Sequence, residues 1–183
     1  MSAALSTVFP EIIIIKPQIF KDGRGNFFET YHRKRYRERG IDVEFVQDNC
    51  STSVKNVLRG LHYQIRSPQG KLVYVLEGKI FDVAADIRRS SPNFGKFFSM
   101  TISSEDYTQI YIPPGFAHGF FVLSEYTRVY YKCTNLYNPE GERGIIWNDP
   151  FINIPWPSSN PILSEKDSEY PTLDQISPDN LFP

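Results

Sequence analysis

The sequence predicts a mainly β chain of many short strands, a sandwich or small barrel with a few short helices. Residues 81–88 alternate with period two, Phe81, Val83, Ala85 and Ile87 against Asp82, Ala84, Asp86 and Arg88. That is the pattern of a strand with one apolar and one polar face. Aromatics reach 15%, with 14 Phe and 11 Tyr, residues that favour pleated surfaces. Glycine and proline are frequent but spread out, so turn signals recur at intervals suited to a sandwich or barrel. At 183 residues the chain can bury a sizeable core, and residues 1–183 read as a single domain.

Along the chain, "EIIIIKPQIF" reads as a buried or interfacial strand bounded by Pro10 and Pro17. "KDGRGNFFET" is a glycine-punctuated turn leading into a strand. "YHRKRYRERG", Tyr31 to Gly40, is the best helix candidate, dense in helix formers and ending at a plausible glycine cap. "KLVYVLEGKIFDVAADIR" reads as a hairpin turning near Glu77-Gly78, and "FGKFFSMTI", "YTQIYIPP" and "GFFVLSEYTRVYYKCTNLY" continue the strand series. From about residue 139 onward, prolines at 150, 155, 157, 161 and 171 argue against long elements and suggest an irregular tail wrapping the β core.

A net charge of −1, from 20 basic and 21 acidic residues, suggests neither a nucleic-acid nor a membrane-surface partner. Two cysteines, Cys50 and Cys133, without a CxxC, fit a reducing compartment. "MSAALSTVFPEIIIIKP" lacks a charged leader region, and its "IIII" run is too short to span a bilayer. The expectation is a soluble, cytoplasmic protein.

Two stretches carry the chemistry. "RGLHYQ…KLVYVLEGKI" is a histidine followed by a strand ending in a Glu-Gly turn, and "YIPPGFAHGF" is a strand, a Pro-Gly turn and a histidine. In this order they resemble the two motifs of the cupin superfamily, which implies a double-sheet jelly-roll barrel with its site at one mouth. Many cupins hold a transition metal with three histidines and a glutamate from these motifs. Here His62 is followed by Tyr63 and Gln64, and the chain has only three histidines, His32, His62 and His118. A catalytic metal needs about three protein ligands, so no metal and no cofactor are expected. A histidine in a strand is often simply a satisfied core residue. Arg59, close to His62, argues for more, because a buried cation demands a partner or an anionic ligand, which would also explain Lys71 and Arg24.

The stretches "DGRGNFFET", "FVQDN", "NVLRGLHYQ", "QGKLV", "FDVAADIR", "IPPGFAHGF", "YKCTNLYNPEGE", "IIWNDP" and "LSEKD" run in order over residues 8 to 170. Together they closely resemble the dTDP-4-dehydrorhamnose 3,5-epimerase family. The resemblance implies a metal-free homodimer acting on a dTDP-linked 4-keto-6-deoxy sugar, inverting C-3 and C-5 of dTDP-4-dehydro-6-deoxy-D-glucose on the route to dTDP-L-rhamnose.

Inverting a carbon beside a ketone needs a base on one face, a stabiliser for the enolate oxygen, and an acid on the other face. His62 is the candidate base, since an imidazole titrates near neutrality. By resemblance, Asp167 is its dyad partner, Tyr131 the proton donor and Lys71 the stabiliser of the enolate oxygen. From the residues alone, "SEKD" reads as a polar turn, Tyr131 as packing and Lys71 as an exposed strand end. Tyr130 points to the face opposite Tyr131. Arg24 and Arg59 suit phosphate oxygens. The resemblance adds Glu29, Gln47, Asp48, Asn49, His118, Glu142 and Lys166 as nucleotide-sugar contacts and Tyr137 as the residue stacking on the base. Three other readings stay open: a 3-monoepimerase, a metal-dependent cupin oxygenase, and a sugar-nucleotide-binding cupin without catalysis.

Overall fold

The computed structural model describes residues 9–183 together with the backbone of residues 4 and 5. The first residues of "MSAALSTVFP", read above for a leader signal, lie mostly outside the described residues. Strands β1 (Ala4–Leu5), β2 (Ile13–Ile15), β10 (Gln109–Ile112), β7 (Lys71–Glu77), β12 (Tyr126–Cys133) and β5 (Gln47–Val54) form a six-stranded sheet in that spatial order. A five-stranded sheet runs β13 (Glu142–Gly144), β6 (Leu58–Gln64), β11 (Phe116–Val122), β8 (Lys79–Asp86), β9 (Phe97–Ser103). A separate ribbon joins β3 (Ile19–Asp22) to β4 (Gly25–Phe28). The helices are α1 (Arg33–Arg37), α2 (Glu165–Ser168) and two 3₁₀ turns, Leu173–Gln175 and Pro178–Asn180.

The jelly-roll barrel expected from the cupin-like motifs does not form, because neither sheet closes. The first ends at β1 and β5, the second at β13 and β9, and among the described residues no ladder joins these ends. Side chains hold the two layers together instead. Val73, Val75, Ile110, Ile112 and Val129 of the larger sheet pack against Ile80, Ala84, Ile102, Phe116, Phe120 and Val122 of the smaller. Each buried Val, Ile or Phe side chain contributes about 1.5–3 kcal/mol, and this packing needs no closed circumference.

The expected hairpin at Glu77-Gly78 is a crossing between layers. β7 and β8 lie in different sheets, and Gly78, at φ +85°, hands the chain over where a Cβ would collide with the Tyr126 carbonyl. The alternation in β8 is real, but both faces are buried. Val83, Ala85 and Ile87 face outward and are covered by Ile145, Ile152, Ile154, Leu173 and Leu181 of the C-terminal segment. Asp82 and Asp86 are 1% and 0% exposed. Asp86 is held by Arg88 and Ser91, and Asp82 by His118.

The helix over 31–40 shortens to Arg33–Arg37. Arg33, Lys34 and Arg35 stand at its positive end, with no acidic residue in the first turn. Gly40, at φ +92°, closes it through Gly40 N to Arg37 O and Ile41 N to Tyr36 O, the Schellman pattern. The "EIIII" strand is paired on both sides, by β1 and β10, and is no open edge. Among the described residues no helix is long and apolar enough to cross a membrane.

Candidate active site

Gly60 and Gly119 let β6 and β11 approach at a bulge: a Cβ on Gly60, which sits at φ +119°, would lie 2.6 Å from the Gly119 Cα. Beside the bulge, His62 and His118 stand directly opposite each other in the ladder. Each imidazole has its own carboxylate. His62 Nε2 lies 2.6 Å from Asp167 Oδ1, and His118 Nε2 lies 2.8 Å from Asp82 Oδ2. Asp167 arrives from 105 residues downstream. Ser164 caps the short helix α2 by accepting from Asp167 N at 3.1 Å, which turns the carboxylate inward to 3% exposure. Gly60 N donates to Asp167 Oδ2 at 3.4 Å.

Between the two sheets a cavity of about 300 Å³ is lined by Gln47, Asn49, His62, Tyr63, Gln64, Gln69, Lys71, Tyr131, Tyr137 and Glu142. Its walls come from opposite layers. His62 projects from β6 of the smaller sheet, while Lys71 and Tyr131 project from β7 and β12 of the larger. Strand alternation sorts the neighbours. Tyr131 pairs with Val73 and Asn49, whereas Tyr130 pairs with Tyr74 on the far face. There its hydroxyl donates to Asp48 Oδ2 at 2.7 Å, and Lys132 also holds Asp48.

Seven of the residues singled out from the sequence therefore line the cavity: Gln47, Asn49, His62, Lys71, Tyr131, Tyr137 and Glu142. Asp167 and His118 stand behind it. Lys166 donates to Glu142 Oε1 at 2.9 Å, and Tyr137 Oη donates to Glu142 Oε2 at 2.8 Å, so one carboxylate organises two further groups. Arg59 is held by Ser53 Oγ at 3.0 Å, and its charge reaches the Tyr131 phenol. Three do not join them. Asp48 faces the other side of β5, Arg24 sits on the exposed ribbon paired with Asp22, and Glu29 is held by Arg35. Gln64 and Gln69 were not assigned to substrate. Gln64 lies two residues from His62 on a strand, so period two places both on one face. Gln69 carries no such signal.

Electrostatics divide the polar groups by task. Burial pushes the Asp167 carboxyl up, but hydrogen bonds from His62, Gly60 and Ser164 outweigh it, and the group stays below its ordinary value, ionised. Burial pushes the Tyr131 phenol up, aided by Cys133 and Glu142 and opposed by Arg59, so it keeps its proton at neutral pH. Burial lowers the Lys71 ammonium, against the pull of Cys133, Glu142 and Asp82. Among the described residues the Lys71 side chain makes no hydrogen bond or ion pair, so its amine is open to whatever enters the cavity. Burial also raises Glu142, but Lys166 and Tyr137 hold it below its ordinary value. Among the described residues no group of three His, Cys, Asp or Glu side chains converges as a metal site.

The family model of dTDP-4-dehydrorhamnose 3,5-epimerase matches residues 6–175. A protein of that name from Pseudomonas aeruginosa is 51% identical over 168 residues, covering 91% of this chain and 93% of its own length. Another from Neisseria gonorrhoeae is 52% identical over 164 residues, covering 89% of this chain, which spans 50% of that protein's length. Among solved structures, the dTDP-6-deoxy-D-glucose-3,5-epimerase of Legionella pneumophila, crystallised with dTDP-4-keto-L-rhamnose, superposes with a TM-score of 0.97. It is 47% identical, and the match covers 100% of this chain and 98% of that one.

Proposed function

The chain belongs to the dTDP-4-dehydrorhamnose 3,5-epimerase family, and from that premise we propose that its cavity inverts C-3 and C-5 of dTDP-4-dehydro-6-deoxy-D-glucose to give dTDP-4-dehydro-L-rhamnose. The observation that carries the reading is the placement of His62 and Tyr131 on opposite layers around one cavity. Epimerisation requires a proton to leave one face of the sugar and another to arrive on the opposite face.

His62 is the base. Its Nε2–H donates a hydrogen bond to the ionised Asp167, which fixes the tautomer and leaves Nδ1 as the lone-pair atom for the substrate. When Nδ1 takes the proton α to the C-4 ketone, the C–H electron pair moves into the carbonyl and its oxygen becomes an enolate. Asp167 then steadies the imidazolium. Lys71, whose side chain lines the cavity without a partner, is the donor that meets the growing negative charge on the enolate oxygen. The neutral Tyr131 phenol delivers a proton from the opposite wall, and the carbon inverts. The ketone acidifies both C-3 and C-5, so one base and one acid serve both centres if the ring shifts between them. Gln47, Asn49, Tyr137, Glu142 and Lys166 hold the nucleotide sugar, Tyr137 by stacking its ring on the base. His118 backs the wall beside His62, and Arg59 neutralises the diphosphate.

We further propose a homodimer. Arg24 and Glu29 lie away from the cavity of their own chain, and the ribbon bearing Arg24 exposes Phe20 and Phe27 at 54% and 71%. A ribbon with two exposed aromatic rings fits a partner subunit, whose cavity could receive Arg24. Asp48 is held by Tyr130 and Lys132 on the outer face of β5, away from the cavity of its own chain. Two cysteines without a CxxC fit a reducing compartment, and we propose that this work is done in the cytoplasm.

The test is incubation with dTDP-4-dehydro-6-deoxy-D-glucose in heavy water, followed by proton NMR. Loss of signal at both C-3 and C-5, with product accepted by a reductase specific for the L-sugar, is expected. Exchange at C-3 alone would favour the 3-monoepimerase reading, and exchange at neither carbon would refute the proposal.

A further inference from the structure

We propose that Tyr170 is a positioning residue for His62, its ring seated on Gly144 so as to hold the imidazole with Nε2 on Asp167 and Nδ1 toward the cavity. The proposal rests on the reading of His62 as the base. A single hydrogen bond from Nε2 to Asp167 leaves the imidazole free to swing about that bond, and a base that must reach two carbons of one ring needs a second restraint. Tyr170 supplies it. Its ring centroid lies 5.7 Å from that of His62, at an interplanar angle of 68°, an edge contact of the kind aromatic pairs prefer.

Gly144 makes room for this contact. It stands directly opposite His62 in the β13–β6 ladder, and a Cβ there would collide with ring atoms Cδ2, Cε2 and Cζ of Tyr170. Its backbone is not left-handed, so the need for glycine at this position is one of space for the tyrosine ring. Asp167 and Tyr170 both come from α2 and the turn that follows it, so one short segment grips the imidazole at an edge atom and against its ring. Tyr170 itself does no acid–base work. It does not line the cavity, its hydroxyl oxygen is sealed from solvent, and burial pushes its pKa up to about 12, which keeps it neutral. Lys166, Glu142 and Asp167 are the charged groups around it.

The experiment compares Tyr170→Phe, Tyr170→Leu and Gly144→Ala by steady-state kinetics. It also records ¹⁵N NMR of the His62 ring in the substrate-free protein. The phenylalanine variant keeps the ring and is expected within about twofold of the parent. The leucine and alanine variants are expected to lose about 3- to 10-fold in kcat with little change in KM, the size of one aromatic edge contact. Their His62 signals should move from a single Nε2–H tautomer toward an averaged mixture. A leucine or alanine variant whose ring nitrogens match the parent's would overturn the proposal, as would a phenylalanine variant impaired as much as leucine. If Tyr170→Leu does not fold, Gly144→Ala, which keeps the tyrosine, decides alone. The NMR result needs no turnover, so it stands whether or not the epimerase reading survives.

Discussion

Replacing Asp167 with Asn removes one charge and almost no volume, and the structure sets the size of the effect. The two oxygens of Asp167 accept from different donors, Oδ1 from His62 Nε2 at 2.6 Å and Oδ2 from Gly60 N at 3.4 Å. Asparagine has only one acceptor oxygen there. If that oxygen faces His62, the new NH₂ confronts the Gly60 amide. If it faces Gly60, the NH₂ donates to Nε2, the ring proton moves to Nδ1, and the base is lost. Losing the charge-assisted bond alone costs about 1.5–3 kcal/mol, or about 10- to 150-fold in rate. The wrong tautomer raises the loss toward about 10⁴-fold, by analogy with the aspartate of serine-protease triads. Asp167 lies behind the cavity wall and does not line it, so KM should barely move. Steady-state assays with the keto sugar, coupled to an L-specific reductase, read both constants. An Asp167→Asn enzyme with kcat within twofold of the parent would refute the dyad.

Tyr131→Phe should keep substrate binding while kcat falls about 10²- to 10⁴-fold, the worth of a positioned acid, measured by the same coupled assay. Lys71→Met should lower kcat about 10²- to 10³-fold, the usual loss on removing one group that stabilises a transition-state anion. An unchanged kcat would remove Lys71 from that role. Arg59→Ala should raise KM at least as strongly as it lowers kcat, and isothermal titration with dTDP would show the weakened binding. Stability should follow Asp86. Burial pushes this carboxyl up, but Arg88 and Ser91 outweigh it and hold it below its ordinary value. Its contribution is therefore complete above the unfolded-state value near ~3.9 and is lost as pH falls through the lower folded value. Urea midpoints should drop below about pH 4, and Asp86→Asn should lower the midpoint at pH 7 while flattening that acid decline.

Much of this was readable in the chain, and the failures have physical causes. Period-two reasoning separated Tyr131 from Tyr130, and applied to "FVQDN" it would also have set Asp48 apart from Gln47 and Asn49. The motif resemblance groups Asp48 with its neighbours, whereas in this chain its side chain lies on the face of β5 away from the cavity. The hairpin expected at Gly78 failed because a glycine turn between two strand patterns does not say whether the second strand returns beside the first or crosses to another layer. The polar face assigned to β8 failed because Asp82 and Asp86 each carry a specific partner, which lets charge enter a buried strand. A closed barrel was inferred from motif order, which says nothing about whether edge strands meet. The ladder that sets His62 opposite His118 and the fold that brings Asp167 to His62 join residues far apart in the chain, and no local pattern encodes such contacts. Tyr170 carried no signal in the sequence, because its role depends on the empty face of a glycine in another strand.

The central claim is that base and acid act from opposite walls. It is tested most directly by giving the Tyr131→Phe enzyme its substrate in heavy water and following the C-3 and C-5 protons by NMR. Deuterium should enter with the original configuration kept, because His62 still removes and returns hydrogen on its own face, and the double variant lacking His62 should show no exchange. Inversion at an undiminished rate without the phenol, or exchange that persists without the imidazole, would contradict it.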